Sequence, residues 1–458
     1  MVKILFFDYL RQTRKPGVIF ASDLMQYFDR MAHPVCSLVS QRLGVDVIVI
    51  HCMLTAIQSM THYIRTGYGD SDMSYGNDVD KPLQGGGQGN GASLPLWLAI
   101  SCILLSVLEA AVQGVHIYSS ISLQLLAFIT IMYVDDTDIL LTDVSGYDTL
   151  DIIFERAQRA VRVWQQAVHD CGGAVRPEKC YWTAIDFKFQ AGKWRYMKLD
   201  EFQGEIKVKN TNMIRQHVKR YDVNKSNEGL GIYVNPDGSM SLQLKEVLGK
   251  VNAWSDKIEA SSLTKKEVYI GDKSTIFKTV EYALPGTSYS DTEYYAIERV
   301  LYRKLMGKLG IFIWFPLEYR YGPHKFQGAA LLEVSVAQLI AKLIIFLHQA
   351  NLNTQLSKTF VVSMEAMQIE LGSVQQFFSL QFNDFGTLTP VSWLQQLWRK
   401  LSIHDITLYK YNSVIPYPRE GDKALMDEII SAKIFCREEI ECINRCRLFY
   451  KNFLFLTL

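Results

Sequence analysis

The sequence lacks several features that would assign it at once to a large class of proteins. Its formal net charge is only +1, so no overall basic character indicates nucleic acid. The eight cysteines form no Cys-x-x-Cys pair, which indicates free thiols in a reducing compartment. No charged segment followed by an apolar stretch and a cleavage site opens the chain. We therefore do not expect secretion, and we expect an intracellular protein, nuclear or cytoplasmic.

Other absences concern ligands and membranes. The glycine-rich stretch Gly85–Gly91 fits neither a dinucleotide fingerprint nor a P-loop, and no Lys-Ser/Thr pair follows it. After residue 350 there is no convincing set of spaced carboxylates for a ribonuclease H. One run of 18 uncharged residues, Gly91–Leu108, is just long enough to cross a membrane. Because polar residues interrupt that run and no second one follows, we predict a helix buried on all sides and no membrane partner.

The composition is that of a globular protein, with 48% hydrophobic and 21% charged residues. A length of 458 residues allows two or three domains. The charge is uneven along the chain. Residues 1–185 carry 13 Lys and Arg against 18 Asp and Glu, a balance of −5, and residues 186–325 carry 23 against 17, a balance of +6. An acidic part that could hold cations before a basic part that could hold phosphates suits a nucleic-acid enzyme.

The stretch Tyr133-Val134-Asp135-Asp136 lies between two apolar runs, which predicts two strands joined by a tight turn. We expect an Asp to take the positive φ of that turn. Two adjacent carboxylates repel each other unless a cation shares them, so the turn is a candidate metal site. The plain alternative is an ordinary acidic turn, and for an isolated Asp-Asp pair it is the better one.

A second carboxylate follows another apolar run. Val18-Ile19-Phe20 precedes Asp23, and the aromatic pair Tyr27-Phe28 comes four and five residues after that Asp. The pattern predicts a strand that places Asp23 at its exit. The alternative, a helix N-cap at Ser22-Asp23 with the aromatic pair in the core, remains open at this point.

The rest of the chain supplies further glycine-rich and helical segments. The glycine-rich stretch lets backbone approach a ligand closely. The helical periods and strand pattern predict a buried helix over 45–64, an amphipathic helix over 151–170, a strand closed by a turn over 229–238, and helices over 243–260, 264–282, 291–308 and 334–348.

In chain order these features resemble the palm of a reverse transcriptase over about residues 18–235. Two further motifs flank the Asp-Asp stretch, Gly87-Gln88-Gly89-Asn90-Gly91 before it and Gly172-Gly173 through Lys179 after it. Together these motifs are most similar to those of reverse transcriptases of retrotransposons without long terminal repeats. The resemblance implies an α+β fold, a palm with an antiparallel sheet and helices on one face. It also implies three regions, a palm over 1–241, a helical thumb-like domain over 242–330, and a helical C-terminal region of unknown role over 331–458.

The resemblance also implies site residues and ligands. The implied metal ligands are Asp23 and Asp135, which would hold two Mg²⁺ ions, with Mn²⁺ as a substitute. The implied partners are an RNA template, a DNA primer and deoxynucleoside triphosphates, with no obligate protein partner. The implied catalytic residues are Asp23, Asp135, Asp136 and Lys179, the last of which would protonate the leaving pyrophosphate. The implied substrate-binding residues are Phe28 against the sugar, Gln88 and Gly89 against the incoming nucleotide, and Leu230 and Gly231 as the primer grip.

The sequence departs from the family in two places. Leu94 stands where the family usually has Pro, with Pro95 one residue later, which shifts the entry of the following helix. The chain also begins only about 20 residues before the first Asp, so we expect most of the fingers to be missing, as in a truncated open reading frame. A catalytically inactive remnant, or a domesticated palm that binds nucleic acid or a partner, is the alternative function. A viral RNA-dependent RNA polymerase is disfavoured by Val134 and Phe28.

Overall fold

The computed structural model describes residues 1–76, 78, 80, 83–87, 89–191, 193–350, 352–408 and 421–450, and the backbone of 454–456. Over these residues the fold is α+β, as predicted. The helices are α1 (Val2–Thr13), α2 (Tyr27–Arg30), α3 (His33–Arg42), α4 (Val47–Gln58), α5 (Ser93–Ala111), α6 (Leu150–Asp170), α7 (Ser241–Ala260), α8 (Lys265–Gly271), α9 (Phe277–Ala283), α10 (Asp291–Leu309), α11 (Leu317–Tyr321), α12 (Val334–Gln349), α13 (Gln355–Leu371), α14 (Phe382–Phe385), α15 (Trp393–Ile403), α16 (Leu425–Ala432) and α17 (Arg437–Tyr450).

The strands are mostly short and pair mainly with near neighbours in the sequence. They are β1 (Gly17–Ser22), β2 (Thr61–Thr66), β3 (Gly69–Gly76), β4 (Val115–Tyr118), β5 (Leu125–Phe128), β6 (Thr130–Tyr133), β7 (Asp136–Thr142), β8 (Tyr181–Ile185), β9 (Phe187–Gln190), β10 (Lys193–Tyr196), β11 (Lys207–Lys209), β12 (Arg215–His217), β13 (Lys219–Arg220), β14 (Asn227–Gly229), β15 (Ile232–Val234), β16 (Asp422–Ala424) and β17 (Leu454–Leu456).

The chain divides into two compact units, each assembled from separate segments. One, called here the sheet unit, comprises Lys15–His116 and Ala127–Asp222. The other, called here the helical unit, comprises Met1–Arg14, Ile117–Leu126 and Val223–Leu458. The predicted boundaries after residues 241 and 330 remain predictions.

The sheet unit is built on a five-stranded sheet in the order β13-β8-β1-β7-β6. Its central strand β1 is antiparallel to both neighbours, with Ser22 opposite Thr137 of β7 and Phe20 opposite Trp182 of β8. Val18, Ile19 and Phe20 are all buried, as expected for a strand that is covered on both faces. This position in the middle of the sheet gives the end of β1 little freedom to move.

Helix α6 forms at Leu150–Asp170, within one residue of the predicted helix. Its apolar stripe, which includes Phe154, Val161 and Trp164, is buried in the core beside the sheet. On another face of the helix, Arg156 donates hydrogen bonds to the Thr142 carbonyl and the Asp148 carboxylate, both at 2.7 Å. These contacts join the helix to the strand and loop that precede it.

Two predictions about burial were wrong. Residues 45–64 form the shorter helix α4, most of which is exposed, followed by strand β2. Helix α5 was expected to be buried on all sides, but Leu94, Leu98 and Val107 are exposed. Among the described residues, α5 is the one helix that is long and apolar enough to cross a membrane, and 33% of its apolar window is buried.

The helical unit confirms the helices predicted after residue 240. The helix predicted over 264–282 contains a π-helical turn, Asp272–Ile276, between α8 and α9. Helices α7 to α10 enclose one apolar core, and α12, α13 and α15 share another with residues of α1. Helix α12 is less buried than its composition suggests, because Ile340 and Ile344 are exposed while Lys342 is buried.

Candidate active site

The Asp-Asp stretch forms the predicted hairpin, but its turn differs from the expectation. Tyr133 of β6 pairs with Asp136 of β7, so the two turn residues are Val134 and Asp135. Val134, and not an Asp, takes the positive φ of 57°. A β-branched residue is strained in this region of the backbone, and such strain persists only where the surroundings impose it.

A hydrogen bond from helix α5 helps to hold the Val134 backbone in this conformation. The indole Nε1 of Trp97 donates to the carbonyl oxygen of Val134 at 2.8 Å. Trp97 is itself buried, and its ring lies 4.4 Å from that of Tyr27, measured between centroids. The turn that carries Asp135 is therefore fixed to the core of the sheet unit.

Asp23 follows directly after β1, as the pattern predicted, and is not a helix N-cap. The register pairs Ser22 with Thr137, so extending it by one residue brings Asp23 level with Asp136, beside the turn. Trp164 of α6 donates from its indole Nε1 to Ser22 Oγ at 3.0 Å. Pairing with β7 and the hydrogen bond from Trp164 thus fix the last residue of β1, and Asp23 is the next residue in the chain.

Charges of both signs surround Asp23. Lys179 Nζ lies 3.7 Å from its Oδ2, and Arg176 Nε lies 4.0 Å from its Oδ1. Burial raises the pKa of Asp23, repulsion from Asp135 adds to this, and Lys179 and Arg176 act in the opposite direction. Burial, together with the nearby Asp135 carboxylate, also raises the pKa of Tyr27. Asp135 therefore lies within electrostatic range of both Asp23 and Tyr27.

The aromatic pair Tyr27-Phe28 follows Asp23 in the sequence by four and five residues. Tyr27 is buried and Phe28 is half-buried, with their ring centroids 4.1 Å apart. Gln26, which precedes them, has a positive φ of 44° and begins the short helix α2. Phe28 is five residues from Asp23 in the sequence and keeps part of its surface accessible.

The glycine-rich loop packs against this aromatic segment through its backbone. The amide of Gly86 donates to the Phe28 carbonyl at 2.7 Å, and that of Gly85 donates to the Met31 carbonyl at 2.9 Å. A Cβ on Gly85 would lie 2.2 Å from the Phe28 carbonyl oxygen, so only glycine fits there. Gly89 is exposed, and Gln88 lies outside the described residues.

The second glycine motif contacts the same segment from another side. A Cβ on Gly172 would lie 2.4 Å from the Arg30 carbonyl oxygen. The amide of Met25 donates to the Ala174 carbonyl at 2.8 Å, and the amide of Arg176 donates to the Asp23 carbonyl at 3.0 Å. These backbone contacts are what bring the side chains of Arg176 and Lys179 to Asp23.

The remaining predicted residues occupy different environments. Asp136 is exposed at the start of β7. Leu230 and Gly231 belong to the helical unit, where they form the two-residue turn between β14 and β15, both with positive φ. The Tyr282 hydroxyl donates to the Leu230 carbonyl at 2.6 Å.

One observation bears on whether the carboxylate pair could hold a magnesium ion. Asp23 Oδ1 is buried, lies 4.0 Å from Arg176 Nε, and has no hydrogen-bond partner among the described residues, so a cation could satisfy it. No group of three or more His, Cys, Asp or Glu side chains that could hold a metal occurs in the described part of the chain. Two carboxylates suffice for Mg²⁺, which usually keeps several waters and also takes substrate phosphates as ligands.

Three residues of this site were missed from the sequence. In the sequence Trp97 is one residue of an apolar run, Tyr27 is the neighbour of Phe28, and Arg176 lies between the Gly172-Gly173 pair and Lys179. Only the basic residue carried a usable signal, because Arg176 stands three residues before Lys179 in a segment already singled out. The other two act through tertiary contacts that no local pattern reveals.

No protein-family model matches this chain, and no curated protein matches it. Among solved structures, the chain is similar to a telomerase from Candida albicans, determined in complex with the TWJ fragment of telomeric RNA. The identity is 12%, the TM-score is 0.25, and the match covers 79% of this chain and 52% of the telomerase chain. The chain thus spans about half the length of that telomerase. At this TM-score the function has to be argued from the chain's own residues.

Proposed function

We propose that this chain is an RNA-directed DNA polymerase of the retroelement type, which extends a DNA primer on an RNA template. The observation that supports the proposal is the register of β1 with β7, which puts Asp23 next to the turn that carries Asp135. Asp23 follows the central strand, Asp135 lies in a strained turn and contributes to the raised pKa of Asp23, and the half-buried Phe28 comes five residues after Asp23. Nucleotidyl transfer by two metal ions needs carboxylates placed in this way.

In this proposal Asp23 and Asp135 hold the divalent ions, and Asp136 adds negative charge next to them. Bound Mg²⁺ would lower the pKa of the primer 3′-hydroxyl and neutralise charge on the triphosphate. Mn²⁺ would take the same oxygen ligands. The chain's own contribution is to hold the two carboxylates at a fixed spacing, through Trp97 on the turn and Trp164 on the strand.

In the proposal Lys179 and Arg176, the basic residues next to Asp23, act on the phosphates. Lys179 is exposed and carries its ammonium 3.7 Å from Asp23 Oδ2, so it is within reach of a phosphate bound to the same ion. In the proposal it gives a proton to the leaving pyrophosphate, while Arg176 balances charge. Phe28 would contact the sugar and exclude a ribose 2′-hydroxyl, which favours deoxynucleotides.

Other parts of the proposal come from the resemblance alone. Gln88 and Gly89 would contact the incoming nucleotide, and Leu230 and Gly231 would position the primer. Residues 1–241 would then act as the palm and 242–330 as the thumb, with 331–458 in an additional role.

The direct test is primer extension by the purified chain on poly(rA)/oligo(dT) with Mg²⁺. We expect incorporation of dTMP by the wild type and its loss in Asp135→Asn, with an unchanged melting temperature because a turn carboxylate contributes little to the core. Asp151→Asn, an exposed carboxylate on α6, is the matched control and should retain activity. Absence of incorporation by a folded wild type would favour the inactive, nucleic-acid-binding alternative.

A further inference from the structure

An open groove in the sheet unit lies between α6 and the β11–β12 hairpin. Its cavity volume is about 570 Å³, in the range of ligand-binding clefts. Gly172 to Val175 form part of one wall. None of Asp23, Asp135 and Lys179 lines it, so the groove is distinct from the candidate active site.

The groove is strongly basic. One acidic side chain, Glu205, lies among the described lining residues, and Lys207 neutralises it at 2.6 Å. His169, Gln158, Gln165 and Gln166 also line the groove, and each glutamine amide already donates one hydrogen bond within the protein. The cationic side chains that line it are those of Arg30, Arg162, Lys207, Lys209 and Arg215.

The walls of the groove are held together by specific contacts. The side-chain amide of Gln158 donates to the Glu205 carbonyl at 2.9 Å, and that of Gln165 donates to the Lys209 carbonyl at 2.7 Å. These bonds connect the hairpin and the residues before it to the helix. Arg30 Nε is buried and has no hydrogen-bond partner among the described residues, which leaves a donor unsatisfied on one wall.

We propose that this groove binds the sugar-phosphate backbone of a single nucleic-acid strand. Five cationic side chains against one acidic side chain suit the phosphates of a strand, and phosphate contacts carry no sequence information. The cleft is too small to enclose a duplex. The proposal does not depend on nucleotide transfer, because it uses none of the residues assigned to that step.

The test measures the binding of a fluorescein-labelled oligouridine to the full-length chain by fluorescence anisotropy, over a series of salt concentrations. The double variant Arg162→Gln/Arg215→Gln removes two exposed cations from opposite walls. We expect its affinity to fall about five- to tenfold at moderate salt. We also expect the slope of log K against log salt to become shallower by about 1.4, from about 0.7 for each of two phosphate contacts.

Arg159→Gln is the matched control, since Arg159 is exposed on the same helix but does not line the groove. It should bind as the wild type does, and both variants should melt at the wild-type temperature. An unchanged affinity and slope in the double variant would overturn the proposal. Binding of sodium tripolyphosphate that depends on the groove, without groove-dependent binding of the oligonucleotide, would also overturn it in favour of a small free anion.

The outcome separates this proposal from the proposed function. Loss of oligouridine binding in the double variant supports the groove even if the wild type incorporates no nucleotide. Conversely, nucleotide incorporation by the wild type combined with unchanged oligouridine binding by the double variant rejects the groove and leaves the polymerase proposal intact.

Discussion

The surroundings of Asp23 disfavour the charged form of its carboxyl group. Burial and the neighbouring Asp135 raise its pKa, and Lys179 and Arg176 compensate only in part. Carboxyl groups with a perturbed pKa are typical of functional sites. At such sites the charge serves a ligand, and the fold loses some stability.

This environment predicts how stability depends on pH. A carboxyl group whose pKa is raised on folding contributes stability below its unfolded pKa, and that contribution is lost as the pH rises through the raised value. At pH 8 the charged Asp23 therefore destabilises the metal-free fold. We expect Asp23→Asn to melt at a higher temperature than the wild type at pH 8 in EDTA, and the difference to disappear near pH 4. Differential scanning fluorimetry measures both.

Asp151→Asn provides the comparison, because it removes an exposed carboxylate elsewhere in the sheet unit. A variant Asp23→Asn that melts below the wild type by the same amount at both pH values would contradict the assigned electrostatics. It would indicate instead that Asp23 is held in place for its contribution to the fold.

At the scale of elements, the structure confirms the patterns that depend on local periodicity. The strand before Asp23, the hairpin around Asp135 and the amphipathic α6 follow from apolar spacing. The predicted burial of α4 and α5 was wrong, because composition shows that a helix is apolar but not which neighbours cover it. Likewise, the sequence predicts a turn in the Asp-Asp stretch, but it predicts neither the position of the turn at residues 134–135 nor the positive φ at Val134, which accompanies the contact with Trp97.

That contact predicts a functional effect of a conservative change in α5. Trp97→Phe keeps an aromatic ring but removes the hydrogen bond to the Val134 carbonyl, which should lower stability by about 1 kcal/mol. Since the turn positions Asp135, we expect kcat for nucleotide incorporation to fall about tenfold or more, with little change in KM for the triphosphate.

A second indole provides the control for Trp97→Phe. Trp182 is buried, and its Nε1 has no hydrogen-bond partner among the described residues. Trp182→Phe should therefore reduce stability through lost packing while leaving kcat near the wild-type value. Equal effects of both substitutions on kcat would show that the turn does not depend on the bond from Trp97. Chemical denaturation and steady-state kinetics give the two quantities.

At the scale of the whole chain, the order of elements is a poor guide to which of them pack together. Within the helical unit, α1 contacts α13 and α15, and the amide of Trp393 donates to the Asp8 carboxylate at 2.7 Å, 385 residues away in sequence. Lys342 is buried in the same unit although a lysine in an apolar helix is expected to reach solvent. Such contacts depend on the complete fold. The sequence therefore predicted the helices of this unit between residues 243 and 348, but neither the helix α1 nor the contacts that it makes.

Binding of a divalent ion by Asp23 and Asp135 together can be measured as Mn²⁺ binding to the full-length chain, followed by electron paramagnetic resonance. We expect saturable Mn²⁺ binding that is competed by Mg²⁺, weakened at least tenfold in both Asp23→Asn and Asp135→Asn, and unchanged in Asp151→Asn. Mn²⁺ binding of equal strength in the wild type and in both of these variants would contradict this expectation.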